Sequence, residues 1–285
     1  MTMRDAGETG RVRKRDTLVT IILVAVLLIG FGILLYPSVS DWWNSRVQTR
    51  AVATYEEAVD SVEEEDYSEY FEAAYAYNDM LREIGSNQTI TSPDLVEEDY
   101  WNLLDVGGTG IMGYITIDRI NVQLPIYHGT DAGVLQAGAG HLEGTSLPVG
   151  GEGTHCVISA HRGLPSSTLF TNLDQLEVGD TFTITVLDEV LTYEVDQITI
   201  VLPDEIENLY IEEGKDYCTL MTCTPYGVNS HRLLVRGVRT EMVKLIHVEA
   251  EAYRVSSLMV ASVLAVPIVV VLLVWVAVST RKKKG

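Results

Sequence analysis

The chain carries two long apolar runs, one near each end, with a mixed region of polar and apolar residues between them. Residues 17–36 and residues 256–280 contain no charged side chain, and each run is long enough to cross a bilayer as a helix. Basic residues cluster on the outer side of both runs, in residues 1–16 and 281–285, which predicts cytoplasmic tails at both ends. We therefore expect two transmembrane helices, with the region between them outside the cytoplasm.

A cleaved signal peptide is the alternative interpretation of residues 17–36. The apolar region of a signal peptide is normally shorter, and no small-residue cleavage motif directly follows residue 36. The pattern therefore favours an uncleaved membrane anchor.

The first part of the mixed region has a helical pattern. Residues 41–84 are rich in Ala, Glu and Tyr, contain neither Pro nor Gly, and place apolar side chains at helical spacing. We predict one or two amphipathic helices in an extracytoplasmic segment of residues 37–84, with a bend near the acidic residues 63–66. Residues 85–109 carry Gly, Ser, Asn and Pro, which predicts a loop or linker.

From residue 110 the pattern changes to short β-prone runs separated by turns that contain Gly or Pro. A short helix or turn leading into a strand is expected at residues 135–141, and another short helix at 169–176. About eight short strands of this kind predict a β-barrel or a sandwich over residues 110–240, followed by a linker at 241–255. The other strands are predicted at residues 113–118, 122–127, 155–160, 181–187, 190–200, 216–222 and 233–238.

Charge and cysteine content exclude several classes of function. The chain has 40 acidic and 20 basic residues, and a net charge of −20 argues against binding to nucleic acid. Cys156 and Cys218 lie in apolar strand contexts, where a free cysteine behaves as a small hydrophobic residue. The sequence near Cys223 lacks the paired spacing of a metal site, and no glycine loop suited to a phosphate occurs. We therefore expect neither a metal nor another cofactor.

The candidate chemistry lies in residues 217–238, where two β-prone runs flank a turn that contains Pro225 and Gly227. Cys223 falls at the end of the first run, where a thiol can meet a substrate, and Arg232 opens the second run. A nucleophilic thiol needs a base or a cationic partner, and His161 falls at the end of an earlier strand. An arginine beside the thiol can hold the substrate and stabilise negative charge. Cys223, His161 and Arg232 are therefore the candidate catalytic residues.

Other histidines and arginines compete for these roles. His231 is the strand neighbour of Arg232 and is expected to point to the opposite face, and His247 lies close to the second apolar run. Among the arginines, Arg162 is expected to point away from its neighbour His161. The remaining alternatives occupy loop, strand-start or more distant strand positions: His128, His141, His155, Arg236 and Arg239.

Several of these motifs together resemble the sortases, the cysteine transpeptidases of Gram-positive cell surfaces. The segment TLMTC, which ends at Cys223, is followed by TPYGVNSHRLLVRG, and SAHRG surrounds His161. Residues 110–130 and 140–155 resemble the class C sortases, which polymerise pilins. The resemblance implies a mainly β fold, the eight-stranded sortase β-barrel, with helices before it and the two membrane helices flanking it.

The resemblance also implies a reaction and partners. The enzyme would cleave an LPxTG-like sorting signal, form a thioester on Cys223 and pass the acyl group to an amine, which in class C is a pilin lysine. Thr222 lies where the main chain could support the oxyanion. Class C sortases carry a lid, and the nearest match to its motif here is Pro93 with Asp94, without the usual aspartate and aromatic positions. The alternatives are a sortase that attaches proteins to peptidoglycan, or a membrane-tethered β-domain that only binds pilins.

Overall fold

The computed structural model describes residues 3–62, 64–96 and 100–241. The predicted second membrane helix at 256–280, the C-terminal tail at 281–285 and all of the predicted linker after Glu241 lie outside the described residues.

A long helix, α1 (Met3–Asp60), contains the first apolar run. Its part Leu18–Asp60 is long and apolar enough to cross a membrane, and the apolar window within it is not buried by protein. Pro37 lies inside α1, so the boundary predicted after residue 36 does not coincide with the end of a helix. The length and composition of this run therefore fit the expected membrane anchor.

The second half of α1 packs on the barrel, because its apolar side chains recur on one face. Val52, Tyr55 and Val59 are buried there. The Tyr55 hydroxyl donates a hydrogen bond to the Met112 carbonyl (3.3 Å) and accepts one from the Leu187 N–H (2.8 Å). Both bonds join the helix to barrel segments that are distant in sequence.

A second helix, α2 (Glu64–Ile84), follows after a break in the region where the acidic bend is predicted. Ala74, Tyr77 and Leu81 are buried on one of its faces. The Asn78 side chain binds the main chain of Leu147 in both directions, accepting from its N–H (2.7 Å) and donating to its carbonyl (3.3 Å). A buried amide satisfied on both sides fixes the position of α2 on the barrel.

The segment predicted as a loop contains a short helix, α3 (Ser86–Thr91), and a 3₁₀ turn (Pro93–Leu95). The Thr89 hydroxyl donates to the Gly144 carbonyl (2.7 Å), and the Ile211 N–H donates to the Ser86 hydroxyl (3.0 Å). A Cβ atom on Gly144 would lie 2.2 Å from the Thr89 carbonyl oxygen, so only glycine permits this close approach. The prediction of an irregular loop is thus wrong for α3, because contacts far along the chain stabilise it.

Eight strands form a closed barrel in the order β1-β2-β3-β4-β7-β8-β6-β5, which confirms the predicted barrel. The pairs β2–β3 and β4–β7 are parallel, and the others are antiparallel. A short helix, α4 (Ala132–Ala137), precedes β3, while the predicted helix at 169–176 is reduced to a 3₁₀ turn (Leu173–Gln175). The strands are β1 (Ile111–Ile117), β2 (Val122–His128), β3 (Ala139–His141), β4 (Thr154–Ser159), β5 (Thr181–Val186), β6 (Glu189–Val201), β7 (Asp216–Thr224) and β8 (His231–Thr240).

Alternation along the strands separates an inner core from a smaller outer cluster. Cys156 and Cys218 pair across β4 and β7 and belong to the inner core. The outer cluster lies on the opposite face of β4, β7 and β8, and α3 contributes Ile90 to it. Its members are Val157, Val201, Leu209 and Leu234, with Ile90, Leu142 and Met221 packed against them. This apolar outer face leads directly to the strand ends that carry the candidate catalytic residues.

Candidate active site

Cys223 is the penultimate residue of β7 and is half-buried. Its neighbours Thr222 and Thr224 are buried. Because side chains alternate along a strand, Cys223 shares the outer face with Met221 and not the face of the two threonines. The thiol therefore lies at the end of the apolar outer cluster, on the solvent side of the barrel wall.

Arg232 lies directly opposite Cys223 in the antiparallel pair of β7 and β8. Directly opposed residues of such a pair share one face, with Cβ atoms about 5 Å apart. The Arg232 guanidinium donates to the His231 carbonyl (3.3 Å), and it forms no ion pair with any residue that the structure describes. Its remaining donors are thus available to a substrate.

The competing arginines of β8 are engaged elsewhere. Arg236 binds Asp196 through two hydrogen bonds (3.0 and 2.8 Å) and lies over the Tyr217 ring at 4.1 Å. Arg239 lies 5.8 Å from the centre of the Tyr193 ring. Arg232 is therefore the arginine of this strand that is best placed beside the thiol.

His161 follows β4, which runs parallel to β7 with Ser159 paired to Met221. The pairing continues past the end of β4, because the Ala160 N–H donates to the Met221 carbonyl (3.2 Å). If the parallel register continued beyond Ala160, His161 would lie next to Cys223 of the neighbouring strand. Burial lowers the pKa of His161 below its ordinary value, which favours a neutral imidazole at neutral pH.

The other histidines inside the barrel have structural partners. His155 donates from Nδ1 to the Tyr210 carbonyl (2.9 Å) and accepts at Nε2 from the Thr219 hydroxyl (2.7 Å). Burial lowers the pKa of His155 to about 4. His141 is also buried, and His128 lies between two main-chain carbonyls at 3.1 and 2.7 Å. These contacts occupy His128 and His155 within the barrel, whereas His161 lies just after the end of β4.

Thr222 faces the barrel core, not the thiol. Its hydroxyl donates to the Ala160 carbonyl (2.7 Å) and is buried. This bond links β7 to the residue just before His161. The side chain thus suits a supporting role in the strand pair and does not suit a direct bond to a substrate oxygen.

The two residues assigned to a lid lie on the 3₁₀ turn that follows α3. Asp94 is exposed, and within the described ranges its carboxylate forms no ion pair with Arg232 or any other basic side chain. Pro93 occupies the start of the turn. If this segment covers the site, the contacts of α3 with the body of the protein hold it there, and Asp94 does not.

The three cysteines are free, and two of them are remote from solvent. Cys156 and Cys218 are fully buried in the core, whereas Cys223 is half-buried at the strand end. Among the described residues no three His, Cys, Asp or Glu side chains are grouped to hold a metal ion. At the strand ends, the thiol of Cys223 thus lies opposite Arg232, and His161 follows the neighbouring strand β4.

One residue near the site has a role that the sequence did not reveal. Arg162 donates to the Thr224 hydroxyl (3.1 Å) and forms an ion pair with Asp174 (2.6 Å). As expected, it therefore points away from the outer face used by His161. The adjacency of Arg162 to His161 was visible in the sequence, but its partners 62 and 12 residues away were not.

Comparisons with known proteins agree with this architecture. Residues 115–240 match the sortase domain family. The crystal structure of sortase C1 from Streptococcus agalactiae is 51% identical, with a TM-score of 0.64, over 67% of this chain and 98% of that chain. The solved sortase C1 of GBS pilus island 1 is 44% identical, with a TM-score of 0.61, over 69% of this chain and 94% of that chain.

A comparison with curated proteins gives a more distant relative. Sortase D of Bacillus subtilis (strain 168) is 32% identical over 130 residues, which make up 45% of this chain and 63% of that protein. The chain therefore spans less than two thirds of this relative.

Proposed function

Because the chain belongs to the sortase family, we propose that it is a membrane-anchored cysteine transpeptidase that acts on the sorting signals of surface proteins. The observation that carries the proposal is the pairing of Cys223 with Arg232 across β7 and β8. The parallel pairing of β4 with β7 supports His161, which follows β4, as their partner. A thiol nucleophile, a proton donor and a fixed positive charge are the groups that acyl transfer requires.

In the first half-reaction the Cys223 thiolate attacks the threonine carbonyl carbon of an LPxTG-like signal. The carbon–nitrogen bond to glycine then breaks, and protonated His161 donates its proton to the leaving amine. The product is a thioester on Sγ. Arg232 holds the substrate and stabilises the oxyanion that forms in between, together with main-chain N–H groups near Thr222 and Cys223.

In the second half-reaction an amine attacks the thioester carbonyl, gives up a proton and regenerates the free thiol as a new amide bond forms. We assign this amine to a lysine of a pilin subunit, so that repeated transfer builds a covalent fibre. The assignment rests on the sequence resemblance to class C and on the likeness to sortase C1 of GBS pilus island 1.

The apolar outer cluster has the character of a site for the apolar part of a sorting signal. It runs along β4, β7 and β8 up to the thiol and is lined by Val157, Met221 and Leu234. Ile90 of α3 packs against the same cluster, which supports a lid formed by the segment around α3, Pro93 and Asp94.

The setting proposed for the enzyme is the outer face of the cell membrane. The apolar part of α1 serves as the anchor. Residues 256–280 would form a second span, and the basic tails at both ends would keep both termini in the cytoplasm.

The acceptor amine is tested with the full chain in detergent micelles and a fluorescent LPxTG peptide. The chain is offered either a pilin subunit bearing its lysine or a peptidoglycan stem peptide, and products are separated by gel and mass spectrometry. We expect transfer to the pilin lysine, and none with Cys223→Ala. Transfer to the stem peptide alone would instead indicate a sortase that anchors proteins to the cell wall. No transfer to either acceptor, with Cys223 unmodified, would favour a pilin-binding domain without catalysis.

A further inference from the structure

We propose that Arg162 is a positioning residue that locks the exits of β4 and β7 together and so sets the geometry of His161 and Cys223. The inference rests on the proposed function of these two residues and adds a third position to the site. The hydrogen bonds of the Arg162 side chain go to Thr224 and Asp174, so we expect it to act through the two strand exits.

Two side-chain hydrogen bonds bracket the reacting pair. The first joins the two residues that precede Cys223 and His161: the Thr222 hydroxyl donates to the Ala160 carbonyl at 2.7 Å. The second joins the two residues that follow them: the Arg162 guanidinium donates to the Thr224 hydroxyl at 3.1 Å. Cys223 and His161 therefore lie between two cross-links that join the same two strands, on the face away from the substrate.

The regular backbone pairing of β4 with β7 ends just before His161. The His161 carbonyl accepts from the Phe170 N–H (3.1 Å), and the Gly163 N–H donates to the Thr171 hydroxyl (3.2 Å). These bonds shape the loop internally but do not join it to β7. The bond from Arg162 to Thr224 supplies that connection.

The surroundings of Arg162 indicate that its guanidinium is fixed in one orientation. Its side chain is only 10% exposed, and its second nitrogen binds Asp174 at 2.6 Å in the 3₁₀ turn Leu173–Gln175. Its Nε atom is buried and has no hydrogen-bond partner among the residues that the structure describes. Burying a charged group with an unpaired N–H is costly, so an apolar side chain would serve packing alone better. Arg162 can do what an apolar side chain cannot, which is to reach two partners in fixed directions.

The test measures the pH dependence of the alkylation of Cys223 by iodoacetamide in the full chain, followed by mass spectrometry. This reaction needs no sorting peptide, so it decides the role of Arg162 even if the proposed transpeptidation fails. In the wild type the profile reports the thiol together with its imidazole partner, and His161→Ala gives the profile without that partner. We expect Arg162→Met to shift the profile towards that of His161→Ala, and Arg162→Lys to restore part of the difference.

Where sorting-peptide transfer is observed, Arg162→Met should lower kcat by about tenfold or more, as expected when reacting groups are misplaced. KM should stay within about twofold of the wild-type value, because Arg162 does not contact the substrate. Arg239→Met is the matched control, since it removes a half-buried arginine at the far end of β8 and should leave both readouts unchanged.

Cys156 and Cys218 serve as internal reporters of folding, because both are fully buried and react only when the barrel opens. If Arg162→Met makes Cys156 and Cys218 reactive, the test is made with Thr224→Val instead. This second variant removes only the hydroxyl that accepts the hydrogen bond from Arg162. A wild-type alkylation profile in the folded variant, whether Arg162→Met or Thr224→Val, would overturn the proposal.

Discussion

At the scale of single residues, the protonation of His161 decides when the site can react. Acyl transfer as proposed needs one proton shared by the thiol and the imidazole, so that a thiolate attacks and an imidazolium donates. Burial lowers the pKa of His161, which is the direction that keeps the imidazole neutral until a more acidic pH is reached. Below that pKa the imidazole already carries its proton and cannot accept the one from the thiol.

The lowered pKa of His161 sets the expected acid side of the pH profile. The value of kcat/KM for a sorting peptide should fall with decreasing pH, with an apparent pKa below the ordinary histidine value of about 6.5. His161→Gln should remove this inflection and lower kcat by about 100- to 10,000-fold, because the proton donor is gone. Steady-state kinetics over the pH range give both results. An inflection that persists in His161→Gln would assign the titration to another group.

At the scale of elements, the strands could be predicted from the sequence and several of their connections could not. Alternation and turn residues located β4, β7 and β8, and with them the strand ends that carry Cys223 and His161. The parallel pairing of β4 with β7 cannot be predicted from the sequence of either strand alone, because it depends on contacts between residues about 60 positions apart in the chain.

Short connections were the hardest part to predict. The sequence of helix α3 carries no strong local helix signal. The helix is stabilised by the hydrogen bonds from the Thr89 hydroxyl to the Gly144 carbonyl and from the Ile211 N–H to the Ser86 hydroxyl. Arg162 looked like a residue that simply pointed away from the site, since Thr224 and Asp174 come close to it only in the folded chain. The alternation of residues along a strand predicts on which face a side chain lies. It does not predict which residue, distant in the sequence, the side chain contacts there.

The docking of α3 makes a prediction about access to the thiol. Gly144 has a positive φ of 77°, and a Cβ atom there would lie 2.2 Å from the Thr89 carbonyl oxygen. Gly144→Ala should therefore displace α3 and uncover the outer cluster that leads to Cys223. We expect faster hydrogen exchange in residues 86–91 and faster reaction of Cys223 with a bulky maleimide.

The matched control for this change is Gly133→Ala. Gly133 lies within α4, and a Cβ atom there would meet nothing within 4 Å. Exchange and maleimide reaction should match the wild type in this variant. If Gly144→Ala also leaves both rates unchanged, α3 does not restrict access to the site.

At the scale of the whole molecule, one barrel carries the candidate site, and its stability depends on groups buried when it folds. His155 is held neutral between the Tyr210 carbonyl and the Thr219 hydroxyl, and burial lowers its pKa to about 4. The unfolded chain binds a proton on this histidine near pH 6.5, whereas the folded chain resists it until about pH 4. Its contribution to stability is therefore complete above pH 6.5 and is lost as the pH falls between these values.

The expected loss is about 3 kcal/mol, from a pKa difference of about 2.5 units at 1.36 kcal/mol per unit. Thermal unfolding of the full chain in micelles should show the wild type losing more stability between pH 7 and pH 4.5 than His155→Gln does. Because all other titrating groups are shared, the difference between the two curves isolates His155. Parallel curves for the two proteins would contradict the assignment.

The central claim is that Cys223 forms a thioester with a sorting signal, and the mass of the intact protein tests it most directly. The full chain in micelles is incubated with an LPxTG peptide in the absence of an amine acceptor. The reaction is quenched in acid, and the mass of the intact protein is measured by mass spectrometry. We predict a mass increase equal to the peptide fragment up to its threonine, removed by hydroxylamine and absent from Cys223→Ala. An adduct that persists in Cys223→Ala, or no adduct in either the wild type or the Gly144→Ala variant, would contradict the account.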